Sequence, residues 1–322
     1  MNTKKILSVL LACTMLFGMC ILSSCSGGTE YTIGICQLME HDALDAATQG
    51  FMDVLTEKLG DRVTFDLKLA QGELTNCTTI VDGFIAGGVD LIMGNATNAV
   101  KAAREATDTI PVVGTSVTDY VDSGLVASNE KPGANVTGVS DYNPVTVQVE
   151  LMKTLVPAAK TIGIVYCSGE ENSRVQAEEA QAAFEAEGYT VKIYTVADSN
   201  EIQAVVTKAC SEVDAFYEPT DNLIAANVPA MSNVTTPAGK PVITAEEGMC
   251  NSGFLATYSI SYYDIGRQAG EMAYEILVNG KNPGDIPIFH FDSSTLKLVI
   301  NEQNAEELGI TIPESMKEAA AE

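Results

Sequence analysis

One α/β pattern runs through this chain twice, and that repetition limits the fold more than any other feature of the sequence. Val89-Asp-Leu-Ile-Met-Gly-Asn-Ala-Thr-Asn98 aligns with Val213-Asp-Ala-Phe-Tyr-Glu-Pro-Thr-Asp-Asn222 at an offset of 124 residues. Ile33-Gly-Ile aligns with Ile162-Gly-Ile at 129, and Pro111-Val-Val with Pro241-Val-Ile at 130. Three matches in one order at near-constant spacing mark a duplicated unit. Within each unit, short apolar runs alternate with segments of helical period. In the first copy, 31–36, 63–69, 89–93 and 110–114 read as strands, and 42–59, 74–85 and 97–107 as helices. In the second, strands are expected at 161–166, 191–196, 213–217 and 240–244, with helices at 173–187 and 202–210. Such alternation gives a mostly parallel sheet with helices on both faces, wound right-handed.

A tail follows the second copy: strand-like 253–260, helical 262–278, then strand-like 286–291 and 296–300. An added helix and strands imply that the chain crosses back to the first lobe and then returns to the second. Crossings are expected near Val139–Asn143, Thr257–Ser261 and Pro287–Phe291, forming a three-strand hinge. This places 31–140 plus 258–288 in one lobe and 141–257 plus 289–322 in the other.

The amino terminus reads as an address. Lys4 and Lys5 precede an apolar run, Ile6 to Leu22, and then Leu22-Ser-Ser-Cys25. This arrangement resembles the lipobox of bacterial lipoproteins. It implies cleavage of a signal peptide, 1–24, acylation of Cys25 (palmitate among the acyl chains) and a short tether, 25–30. More than one acyl chain gives stable anchoring. The body would sit outside the cytoplasmic membrane, tied to it. Five further cysteines, Cys36, Cys77, Cys167, Cys210 and Cys250, include no Cys-x-x-Cys pair and read as buried free thiols.

Composition removes several function classes. Asp and Glu number 43 against 18 Lys and Arg, a net charge of −25 that repels nucleic-acid phosphates. The two histidines, His41 and His290, leave little for histidine-based catalysis or metal binding. No nucleophile elbow, metalloprotease helix motif or P-loop is present, so neither catalytic residues nor a metal or cofactor is expected.

In an open parallel sheet, ligands bind beyond the carboxyl ends of the strands. Those ends carry His41, Asn95, Thr97, Ser116 and Thr118 in the first copy, and Asn172, Ser173, Asp221, Asn222 and Glu246 in the second. Hydroxyls and helix-start amides suit a carboxylate, and a buried carboxylate suits an ammonium. Together they suit a zwitterion such as an amino acid. Asn95, Thr97, Ser173 and Asn222 also qualify as helix N-caps, and Tyr262-Tyr263 reads as helix packing, with a cleft wall as the alternative.

The lipobox, Ile33-Gly-Ile with Glu40-His41-Asp-Ala-Leu-Asp45, Pro132-Gly-Ala-Asn-Val-Thr-Gly138, Pro219-Thr-Asp-Asn222 and Tyr262-Tyr-Asp-Ile-Gly266 together resemble an ABC importer family. These are the tryptophan/tyrosine transport substrate-binding lipoproteins, and the likeness spans Tyr31 to Pro313. It implies α/β architecture of the type I periplasmic-binding-protein kind, with two Rossmann-like lobes. It implies a small-molecule ligand, delivery to a permease served by a separate ATPase, and no catalysis. The ligand carboxylate would lie near Asn95, Thr97, Ser116 and Thr118. The ammonium would face Asp221, assisted by Asn172 and Glu246, with His41 framing the side chain. A ligand sensor working through a membrane receptor, or a binding protein for a nucleoside or sugar, remains the alternative.

Overall fold

The two copies of the repeat become two sheets in the computed structural model, which describes residues 30–320. The expected signal peptide and Cys25 lie outside the described residues. The first sheet contains β1 (Tyr31–Gln37), β2 (Val63–Leu69), β3 (Leu91–Asn95), β4 (Val112–Val117) and β5 (Val136–Ser140), all parallel, in the order β2-β1-β3-β4-β5. The second contains β6 (Thr161–Cys167), β7 (Thr190–Val196), β8 (Ala215–Glu218), β9 (Val242–Thr244), β10 (Ala256–Ser259) and β11 (Lys297–Ile300). Its order is β11-β10-β9-β8-β6-β7, with β11 antiparallel at the edge. This is the type I periplasmic-binding-protein architecture. Central strands such as β3 and β4 are buried throughout, which is why they read as unbroken apolar runs rather than alternating ones.

The order β7-β6-β8-β9-β10 reproduces β2-β1-β3-β4-β5, so the duplication includes a fifth strand in each copy. The sequence pattern does not mark β5 as a strand and sets β10 apart as tail. Both are short, and β5 carries only Val136 and Val139 as large apolar residues.

After these fifth strands the lobes exchange helices. The helix Val145–Leu155 follows β5 but packs its Val149, Met152 and Leu155 against Ile162, Ile164 and Phe184 of the second lobe. The helix Tyr262–Leu277 follows β10 but packs on Asp42–Leu59 of the first, placing Ile265, Ala269 and Ala273 beside Ala47, Phe51 and Leu55. Two glycines allow this crossing. A Cβ on Gly266 would lie 1.9 Å from the Ala47 carbonyl oxygen, and one on Gly50 would lie 2.1 Å from that of Tyr263.

The third crossing departs from expectation. Residues 286–291 form no strand: a 3-10 turn, Pro283–Asp285, leads into an extended passage with a single parallel bridge, Val139 to Phe289. Pro287 has no N–H to give a ladder. Two backbone bonds still tie the passage to β5, from Ser140 N to Phe289 O and from Phe289 N to Gly138 O. No helix among the described residues is long and apolar enough to cross a membrane.

Candidate functional site

Carboxyl ends of both sheets meet across one cleft, which is closed down to about 10 Å3, little more than the room one water needs. The side built on the first sheet and its exchanged helix supplies His41, Leu44, Ser116, Asp141 and Tyr262. The opposite wall supplies Asn172, Thr220, Asp221, Asn222, Ala225, Glu246 and Met249.

The lobes touch across this cleft. His41 Nε2 lies 3.2 Å from Asn222 Oδ1, and the Thr118 and Thr220 hydroxyls are 3.2 Å apart. Gln176 Nε2 donates to both of those hydroxyls, at 3.0 and 2.7 Å. Ser252 donates to Asp42 at 3.2 Å, and Lys101 lies 3.6 Å from Glu171 at the rim. The geometry is that of a closed clamp.

Backbone strain sits beside the cleft. Ala96 has φ 83° and Ser116 φ 55°, positions where a side chain is disfavoured. Ser116 lies where the β4–β5 register shifts, between Gly114 and Val117. Its hydroxyl is buried and has no partner among the described residues.

The charge in the cleft is lopsided. Asp141, Asp221 and Glu246 line it, and no Lys or Arg among the described residues does. Burial raises the pKa of all three. For Glu246 the value is pushed up to about 8, although the backbone N–H groups of Gly248 and Met249 hold it down in part. Behind them Glu170 accepts from the backbone N–H groups of Asn222 and Leu223, and from the Asn222 side chain. Its pKa is also raised, by burial and then by the neighbouring Asp221. His41 is shifted the other way. Burial outweighs its bond to Asn222 and the pull of Asp45 and Asp42, so the ring is neutral at neutral pH.

Of the residues read from the strand ends, His41, Ser116, Asn172, Asp221, Asn222 and Glu246 line the cleft, whereas Asn95, Thr97, Thr118 and Ser173 do not. β3 runs two residues further than its apolar run, so Asn95 lies within the ladder, opposite Gln37 and Thr115. Its amide is turned into the first lobe, donating to the Leu44 carbonyl and the Thr48 hydroxyl. Thr97 is a buried helix-start residue, Thr118 is engaged by Thr220 and Gln176, and Ser173 donates to the Thr220 carbonyl. Asp221 lines the cleft but also caps the helix Asn222–Ala225 through Ile224 N and accepts from Cys167 N.

The sequence does not single out Leu44, Asp141, Ala225 or Met249; Thr220 lies in the strand-end run 219–222, and for Tyr262 a cleft wall is the second reading beside helix packing. Asp141 was within reach, because it sits in the first expected crossing. Tyr262 packs as expected but also lines the cleft, donating from its hydroxyl to Asp141 Oδ2 at 2.8 Å.

Residues 32–322 match the family described as ABC transporter substrate binding protein. A tyrosine-binding protein from Clostridioides difficile is 37% identical over 95% of this chain and 93% of its own. The structure of an ABC domain from Streptococcus pneumoniae in complex with L-Trp is 39% identical and superposes with a TM-score of 0.87, covering 91% of this chain and 99% of the other. The ligand-free, open structure of a substrate-binding protein with adhesive properties from Clostridium difficile is 37% identical, covering 88% and 96%, with a TM-score of 0.67.

Proposed function

This chain belongs to the ABC transporter substrate-binding protein family, and from that membership we propose that it closes its two lobes on an aromatic amino acid for delivery to a permease. The supporting observation is the cleft itself: closed, small, and lined from both sides by hydrogen-bonding groups, some of them without partners. Proteins of this family work outside the cytoplasm. The L-Trp complex and the open, ligand-free protein are similar to this chain in identity, yet the former superposes much better. That difference fits a closed clamp.

The cleft suits an amino acid with an apolar side chain. Leu44, Ala225 and Met249 offer an apolar wall, and a methionine sulfur packs well against an aromatic ring. Neutral His41 frames the ring without adding charge. The partnerless Ser116 hydroxyl is assigned to the carboxylate, and the acidic side of the cleft to the ammonium. The ligand drives closure only through its greater affinity for the closed state. The role is binding and presentation, without turnover.

A thermal melt of the full chain, alone and with each L-amino acid, tests this. Ligand at 100 times its dissociation constant adds about 2.7 kcal/mol of stability, a shift readily resolved. A rise confined to tyrosine, tryptophan or phenylalanine is expected. No rise with any amino acid would leave the fold standing and turn the search to nucleosides and sugars.

A further inference from the structure

We propose that Asp141, at the crossing between the lobes, recognises the ligand's amine, so that the cleft selects a primary ammonium ahead of a carboxylate and accepts aromatic monoamines as well as amino acids. The inference rests on the substrate-binding reading above and deepens it.

The three carboxylates of the cleft are not equivalent. Each Glu246 oxygen accepts from a backbone N–H at the start of the helix Glu247–Ser252. Both Asp221 oxygens are likewise engaged, one by Ile224 N and the other by Cys167 N. These two acids hold the second lobe's loops in shape. Asp141 has one oxygen fixed by the Tyr262 hydroxyl at 2.8 Å. Its other oxygen, Oδ1, is buried and makes no well-formed hydrogen bond among the described residues; the Thr118 hydroxyl and the residue's own backbone N–H only hold the raised pKa of the carboxyl down in part. The residue is 5% exposed. A buried carboxylate oxygen left unpaired is costly, and among the described residues no Lys or Arg lines the cleft to relieve it. A ligand that brings its own positive charge does so.

Placement supports the same assignment. Asp141 directly follows β5, and its backbone N–H bonds to the Val117 carbonyl. Tyr262 begins the helix exchanged back from the second lobe. The pair therefore joins two of the passages that must bend when the clamp opens. The ligand's carboxylate, by contrast, meets neutral donors such as Ser116. A hydrogen bond from a neutral donor is worth less than a buried, charge-assisted ion pair. Loss of the ammonium should thus cost more affinity than loss of the carboxylate.

The test is calorimetric titration of the full chain in mild detergent with L-tyrosine, tyramine and 3-(4-hydroxyphenyl)propionate, which share one ring. Tyramine is expected to bind within ~30-fold of L-tyrosine, and the deaminated acid to lose about 100-fold or more, the scale of an unpaired buried charge. Asp141→Asn should weaken L-tyrosine by a similar factor, and Tyr262→Phe by less. Equal binding of L-tyrosine and the deaminated acid to the wild-type chain would overturn the assignment to Asp141, whether or not Asp141→Asn folds. So would a folded Asp141→Asn chain with unchanged affinity. A wild-type chain that binds none of the three, nor tryptophan or phenylalanine, would overturn the substrate reading and this inference with it.

Discussion

Glu218 ends β8 with both carboxylate oxygens buried and without side-chain partners. Burial, reinforced by Asp221, raises its pKa well above the usual carboxylate range, so the folded protein keeps it protonated. Glu218→Gln, close in shape and unable to ionise, should therefore raise the melting temperature above pH 7 and leave it unchanged near pH 4. A thermal melt at both pH values checks this. Ser116 presents the opposite case, a neutral hydroxyl waiting for an acceptor. Ser116→Ala should weaken L-tyrosine about 10-fold, in keeping with ~1.5 kcal/mol for a hydrogen bond to a charged group, with little change in the melt. Titration calorimetry reads it directly. Asp221 is legible from sequence as a cleft residue, but its backbone bonds are not. Asp221→Ala should lower the melting temperature as well as weaken binding, because Cys167 N and Ile224 N lose their acceptor.

At the scale of elements, the helices Asp42–Leu59 and Tyr262–Leu277, which belong to different copies of the repeat, meet closely at Gly50 and Gly266. Gly266→Ala places a methyl where Ala47 O already stands. Helical backbone cannot yield as a long side chain can, so a loss of ~1–3 kcal/mol is expected, the usual cost of overpacking. Denaturant titration would measure it. Both helices were readable from their apolar stripes, and so were most strands, because parallel strands buried on both faces need continuous apolar runs. β5 was not, since its few apolar residues gain their burial only from neighbours distant in sequence. The extended passage through Phe289 misled in the other direction: its composition is strand-like, but Pro287 and a single bridge leave it outside the sheet.

For the molecule as a whole, the cleft acids couple stability to pH. Glu246 titrates at about 8 in the folded state, and Glu170, Asp221, Glu218 and Asp141 are raised as well. Between the ordinary carboxylate range near 4.5 and about 8, the folded chain holds protons that the unfolded chain releases. Stability then falls as pH rises. The ligand-free protein should melt several degrees higher at pH 5 than at pH 8.5, a shift well within reach of changes of a few kcal/mol. The ammonium of a zwitterionic ligand favours the ionised acids, so the ligand's stabilisation should grow over the same interval. Differential scanning calorimetry with and without L-tyrosine separates the two effects. We also propose acylation of Cys25. Labelling with an alkynyl fatty acid should mark the wild-type chain and not Cys25→Ala.

The sequence alone determined the duplication, the alternation of strand and helix, and the edge of the sheets that lines the cleft. These are local or periodic properties, set by which residues each element buries and by the fixed relation between strand ends and loops. Tertiary structure decided what repetition cannot encode. It exchanged one helix between the lobes in each direction and turned Asn95 inward by extending β3 two residues past its apolar run. It also engaged Asp221 and Glu246 with backbone groups while leaving Asp141 one oxygen free. Hydrogen-bond partners in this cleft come from residues as far apart as His41 and Asn222. No pattern along the chain specifies such a pairing, because it arises only when two passages are brought together by the packing of whole lobes.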